Sequence, residues 1–308
     1  MGYTFIGLGN LGGHLAASLL RAGFAVTVHD RDSAQRARLE ALGAVWADTP
    51  VAAVEGGAEG SGDGSADAVI TCLPSPAVSE AVLEEILPVM RQGADWIEMS
   101  TLGRADILRL AAKAQAMGIG VLEAPVTGGV HLAAQGKITM LAGGEAEVFA
   151  RHQPALAAMG DKIFHIGPLG SASLIKVITN MLAFIHLVAD GEALMLAKRG
   201  GLDLKTAWEA IAASSGSSFV HETEGQLILN GSYDVGFTMD LALKDLGFAI
   251  DFGREYGVPM DLAGLTAQSF LRGKAAYGGQ AQSPMIVKLL EEALGTDLRA
   301  EGFPAKLE

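Results

Sequence analysis

The chain of 308 residues is 50% hydrophobic and 19% charged, and its formal net charge is −13. That length exceeds one ordinary core, so two domains are expected, and the apolar content excludes disorder as the dominant state. The acidic balance excludes nucleic acid or an anionic membrane as the main partner, since both require a basic face, but not a small anionic substrate held by local cations.

Short β-branched runs alternate with helical patterns through the first half. Strands are expected at Tyr3–Gly7, Ala25–His29, Ala68–Leu73, Trp96–Met99, Gly120–Glu123, Ile138–Ala142 and Lys162–His165. Helices are expected between them at Leu11–Ala22, Ala34–Leu42, Val78–Met90, Arg104–Met117 and Ala146–Met159. This alternation predicts an α/β domain over 1–167 with a mainly parallel, doubly wound sheet. The run Gly56–Ser65, rich in Gly and Ser, reads as a surface loop inside that domain. After Gly167 the strand signal ends. A long helix is expected at Ser171–Arg199, then helices at Leu204–Ser214, Phe219–Leu229, Leu241–Tyr256, Pro259–Gly273 and Met285–Leu294, an all-helical domain over 168–308. The most apolar helical stretch, Val177–Ala189, is short of the about 20 residues that span a bilayer, so a core helix is expected and no membrane segment. The first residues lack the basic start and apolar run of a signal peptide. Cys72 is the sole cysteine, which excludes an intrachain disulfide. Both features point to the cytoplasm.

Gly7-Leu8-Gly9-Asn10-Leu11-Gly12 fits the dinucleotide fingerprint, with an apolar strand before it and an amphipathic helix after it. The first glycine permits a tight turn, the second close approach of a pyrophosphate, and the third close packing of helix on strand. Asp30 follows Gly12 by 18 residues, the place of a carboxylate that binds the adenosine ribose. It favours NAD over NADP by repelling a 2′-phosphate, whereas Arg31 could pair with that phosphate. NAD is the expected cofactor, with NADP possible. Lys176 and Asn180 are four residues apart, hence on one helical face, and their apolar flanks predict a partly buried lysine. Seven histidines are present; His186 and Asp190 stand i, i+4 and read as a satisfied pair. No metal is expected.

Gly7–Gly12, Cys72-Leu73-Pro74, Ser100-Thr101, Ala124-Pro125-Val126-Thr127-Gly128-Gly129, Lys176-x-x-x-Asn180 and Lys244-Asp245-Leu246 occur in this order. Together they resemble the 3-hydroxyisobutyrate dehydrogenase family, with tartronate semialdehyde reductases as close relatives. The resemblance implies a Rossmann-type domain, a helical substrate and oligomerisation domain reached through a long interdomain helix, and a cleft between them. It implies interconversion of a small 3-hydroxy acid and its semialdehyde or keto acid, with Lys176 as acid/base and Asn180 orienting it or the substrate. Leu73, Pro74 and Thr101 would surround the riboses, and Lys244, held by Asp245, would approach the cofactor or substrate. Thr127, Gly128 and Gly129 offer N–H groups and a hydroxyl, a cradle for a substrate carboxylate; the family usually has Ser at the place of Thr127. Phe219 would face the substrate. Apolar positions Ile185, Leu187, Val188, Leu194, Met195 and Leu196, with the resemblance, suggest a homodimer or homotetramer. Two alternatives stay open: an imine reductase on the same scaffold, whose relatives generally lack the lysine, and a non-catalytic dinucleotide-binding protein, which would be expected to lose Lys176 or Asn180.

Overall fold

The computed structural model describes residues 1–56 and 66–307. The loop expected over Gly56–Ser65 therefore lies, beyond Gly56, outside the described residues. The strands are β1 Gly2–Ile6, β2 Ala25–His29, β3 Val45–Trp46, β4 Ala68–Thr71, β5 Asp95–Glu98, β6 Gly120–Glu123, β7 Val126–Thr127, β8 Ile138–Gly144 and β9 Gly160–Gly167. The helices are α1 Gly12–Arg21, α2 Arg36–Glu40, α3 Pro50–Glu55, α4 Pro76–Ile86, α5 Arg104–Ala116, α6 Gly129–Ala134, α7 Ala146–Met159 and α8 Ser171–Arg199, followed by α9 Leu204–Ala212, α10 Phe219–Asn230, α11 Met239–Tyr256, α12 Asp261–Tyr277 and α13 Lys288–Leu294. The chain divides into two compact units, Met1–Lys176 and Val177–Glu308.

The first unit is a Rossmann-type sheet in the order β3-β2-β1-β4-β5-β6-β8-β7, with β9 pairing β8. From β3 to β6 every pairing is parallel. Adjacent residues on one strand enter different cores: Phe5, Ile70, Ile97 and Leu122 join one cluster, and Ile6, Val69, Trp96 and Val121 the other. This alternation shows that helices cover both faces, as a doubly wound sheet requires. β8 runs antiparallel to β6 and β7. The link from β7 to β8 holds only the six-residue α6, too short to carry the chain over the sheet for a parallel return.

Capping residues set several helix starts. Thr49 Oγ1 accepts from Ala52 N at 3.0 Å, with Pro50 opening α3. Ser75 does the same for α4, which Pro76 opens. Such proline at the first turn removes a donor that has no helical partner. α4 ends at Ile86, short of the expected Met90, where Pro88 lies in a 3₁₀ turn.

In the second unit α9 to α13 and most of α8 enclose one core that includes Phe184, Leu187, Leu194, Met195, Leu246 and Phe270. α8 is 29 residues long and, by length and composition alone, apolar enough to cross a bilayer. Its residues Phe184, Leu187, Leu194 and Met195 are spent on the core of the unit, the placement of a core helix. Asp190 is buried and pairs with His221, Oδ1 to Nδ1 at 2.5 Å, while His186 is exposed. The expected His186–Asp190 pair is thus corrected: a partner 31 residues away takes the carboxylate. The assembly argument also needs correction, because Leu187, Leu194 and Met195 face the core. Of the six positions Leu196 stays fully outward, 76% exposed.

Candidate active site

Three glycines at the end of β1 each answer a different steric demand. Gly7 has φ +96° and donates to His29 O at 3.0 Å, and a Cβ there would overlap the carbonyl oxygen of Cys72. Gly12 opens α1 so close to β1 that a Cβ would overlap Gly7 O. A Cβ at Gly9 would meet nothing within 4 Å. The middle glycine therefore leaves room that the fold itself does not fill, which fits a cofactor pyrophosphate. No side chain caps α1, and its first turn is free of acidic residues, so the positive end of the helix faces that room.

Asp30 follows β2 directly. Its Oδ2 accepts from Leu8 N at 2.5 Å and its Oδ1 from Asp32 N at 2.8 Å, so the carboxylate is fixed against the glycine turn. A cavity of about 420 Å³ is lined by His29, Asp30, Arg31, Arg36, Trp46 and Asp48 among others. Arg36 lies 5.5 Å over the Trp46 ring and is engaged by Glu40 at 2.9 Å and Asp48 at 3.7 Å. Sequence reasoning missed Arg36 and Trp46, because β3 is two residues long and leaves no periodic trace.

The turns after β4 and β5 are tied together. Ser100 Oγ accepts from Leu73 N at 2.7 Å, and Ser100 N donates to Glu98 Oε1 at 2.7 Å. Glu98 is 1% exposed, and burial pushes its carboxyl above the ordinary range despite the donors of Ser100. Leu73, Pro74 and Thr101 thus stand on linked turns at the carboxyl edge of the parallel strands, beside the glycine turn. Cys72 is a small residue of the same place, its thiol pushed up to about 12 by burial and by Glu98, hence inert as a nucleophile.

Thr127 ends β7 opposite Thr139. Gly128 and Gly129 follow at φ +122° and +88°, a backbone that other residues rarely adopt, and α6 begins there without a side-chain cap. The neighbouring His131 is held below the usual histidine range by burial.

Lys176 is 7% exposed and Asn180, one turn further along α8, is 8% exposed. In the second unit Asn180 Nδ2 donates to Asp245 Oδ2 at 2.6 Å, and Lys244 Nζ lies 3.0 Å from Asp245 Oδ1. Asp245 is 1% exposed, and the Lys244 ammonium stands 5.3 Å over the Phe248 ring. The Lys244-Asp245 pair expected from sequence is therefore a cluster of three with Asn180. Phe219 opens α10 after its cap Ser218 and is 55% exposed. Among the described residues no group of three or more His, Cys, Asp or Glu side chains could hold a metal ion.

Residues 3–167 match the family model described as the NAD binding domain of 6-phosphogluconate dehydrogenase. Residues 170–290 match that described as NAD-binding of NADP-dependent 3-hydroxyisobutyrate dehydrogenase. The chain is 32% identical to 2-(hydroxymethyl)glutarate dehydrogenase of Eubacterium barkeri over 96% of each protein. It is 34% identical to 3-hydroxyisobutyrate dehydrogenase of Pseudomonas aeruginosa over 80% of this chain and 83% of that protein. The crystal structure of 3-hydroxyisobutyrate dehydrogenase from Salmonella typhimurium superposes with a TM-score of 0.84 at 29% identity, covering 93% of this chain and 99% of that one.

Proposed function

Because the chain belongs to the 3-hydroxyisobutyrate dehydrogenase family of β-hydroxyacid dehydrogenases and is thus an NAD(P)-dependent oxidoreductase acting on small hydroxy acids, we propose that Lys176 is its general acid/base. The observation that carries this reading is a lysine only 7% exposed on α8, where burial of an ammonium needs a reason. When bound, the nicotinamide supplies or accepts the hydride. The chain does the rest. Gly7, Leu8, Gly9, Asn10, Leu11 and Gly12 hold the pyrophosphate at the start of α1, Asp30 and Arg31 meet the adenosine ribose, and Leu73, Pro74 and Thr101 support the riboses, with Lys244 near the cofactor. Thr127, Gly128 and Gly129 receive the substrate carboxylate. In reduction, protonated Lys176 gives its proton to the developing alkoxide; in oxidation, neutral Lys176 takes the proton of the alcohol. Asn180, held by Asp245, orients the reacting groups, and Phe219 meets the substituent of the substrate.

The substrates named in the two similar dehydrogenases, 2-(hydroxymethyl)glutarate and 3-hydroxyisobutyrate, share a CH₂OH group on the carbon that bears the carboxylate. We assign this chain the same class, 2-substituted 3-hydroxypropanoates and their semialdehydes. NADH oxidation with a panel of such semialdehydes tests it, and cofactor binding with no turnover on any member overturns it.

Asp30 carries the cofactor preference, since both carboxylate oxygens are fixed and Arg36 is already engaged by two carboxylates. NADH is expected to be preferred over NADPH, and Asp30→Ala to narrow the preference by about tenfold, the weight of one like-charge contact. Steady-state kinetics in which the unmodified enzyme favours NADPH would reverse the assignment. The cytoplasm is the setting that fits the single cysteine. A homodimer or homotetramer is the assembly expected for this chain, with Leu196 at 76% exposure on α8 available to a contact. Light scattering should return a mass above the 31.8 kDa of one chain at micromolar concentration; a monomer refutes it.

A further inference from the structure

Glu123 is the last residue of β6, four residues before Thr127. It is 1% exposed, and both of its oxygens act as acceptors. Oε1 accepts from Ala172 N at 2.9 Å, and Oε2 accepts from Ser173 N at 3.0 Å and Ser173 Oγ at 2.5 Å. These donors form the first turn of α8, and Lys176 lies three residues beyond Ser173. The first N–H groups of a helix have no partner within it, so a carboxylate there satisfies them and complements the positive helix end. Burial pushes the Glu123 carboxyl up, while the donors of Ser173, Ala172 and Gly170 work in the opposite direction. Gly143 on β8 makes room for it, since a Cβ there would overlap Oε1. A carboxylate this enclosed is costly to bury unless its oxygens are hydrogen-bonded, and here both are.

We propose that Glu123 is a positioning residue of the reaction: it anchors the first turn of α8 to the strand that leads into the Thr127–Gly129 loop, and so fixes where Lys176 stands relative to the substrate carbonyl. The proposal rests on Lys176 as the acid/base. The loop assigned to the substrate carboxylate begins four residues after Glu123, and the group that gives the proton stands three residues after its donor Ser173, so one side chain ties the two together. A purely structural buried acid would change how much enzyme is folded and leave the chemistry of each folded molecule untouched. A positioning residue changes the chemistry of every molecule.

Glu123→Gln keeps the volume but replaces one acceptor with an amide NH₂, which sets donor against donor at α8. The full chain should be assayed with NADH and a turned-over semialdehyde, with kcat counted per NADH-binding site by fluorescence titration. Displacement of a reacting group by about 1 Å costs on the order of 10²-fold, so kcat should fall about 10- to 100-fold while KM and the NADH Kd move less than about threefold. The solvent deuterium isotope effect on kcat should rise, because proton transfer becomes the slow step. Glu123→Asp, which keeps the charge, should recover part of kcat. Ser173→Ala, which removes the hydroxyl donor, should cost a few-fold with the same rise in isotope effect. Unchanged kcat per site and an unchanged isotope effect in Glu123→Gln, with only a lower Tm, overturn the proposal. If Glu123→Gln yields no folded protein, the same null result in Ser173→Ala overturns it. Lys176→Ala run in parallel separates the two readings. Turnover retained there removes the acid assignment and this proposal with it, whereas turnover lost there but intact in Glu123→Gln removes the positioning role alone.

Discussion

Lys176→Ala should lower kcat by about 10²–10⁴-fold, the span typical of a general acid–base group, with NADH affinity nearly unchanged. Affinity is spared because the residues assigned to the cofactor pyrophosphate, Gly7 to Gly12, form a turn whose geometry rests on β1, β4 and α1 rather than on α8. The lysine is 7% exposed, and its helical neighbours Ile175 and Val177 are apolar. Lys176→Arg should rescue little, since a guanidinium scarcely releases a proton near neutral pH. Single-turnover measurement with a deuterated NADH separates loss of chemistry from slow product release. Near-normal kcat in the alanine variant would move the acid role to another group, with Lys244 beside Asp245 the first to test.

The fingerprint glycines should respond in two distinct ways. Gly12→Ala places a methyl on the Gly7 carbonyl oxygen and within 3.2 Å of the Phe5 ring. Helix and strand must part, an overpacking cost of about 1–3 kcal/mol, which lowers Tm by several degrees at about 2–4 °C per kcal/mol. NADH binding should weaken by about 10- to 100-fold with it, since the same displacement opens the turn. Gly9→Ala meets nothing within 4 Å, so Tm should stay within about 2 °C while NADH binding falls by about tenfold or more. Thermal melts and fluorescence titrations of the two variants decide the matter. A Gly9→Ala enzyme that binds NADH normally would show that the open space above the turn is not where the pyrophosphate lies.

The alternation of strand and helix announced the first unit, and the loss of β-branched runs after Gly167 announced the second. What escaped was either short or non-local. β3, β7, α3 and α6 have two to six residues each, fewer than a hydrophobic period needs to declare itself. The reversed direction of β8 depends on the length of its connection, and apolar alternation is the same for either direction. Of the candidate site, the glycine turn, Asp30 and the Lys176–Asn180 spacing were legible because each is a local pattern. Glu123 and the Asp190–His221 pair were not, since a carboxylate whose partners lie tens of residues away looks like any surface acid in the sequence. The apolar residues of α8 were over-read as an assembly surface for a related reason: a helix that is apolar on several faces does not tell which face its own core will claim.

The anchoring of α8 on Glu123 also bears on the order in which the protein is made. Glu123 and its donor Ser173 are 50 residues apart, and synthesis proceeds at roughly 5–20 residues per second, so roughly 3–10 s pass between their appearances. Until Ser173 emerges, the Glu123 carboxylate has no helix start to accept from and keeps its water. The interior around β6 and β8 therefore cannot dry out when its own strands are complete. The ribosome has to deliver the beginning of the lysine-bearing helix before the nucleotide-binding half of the chain can finish closing.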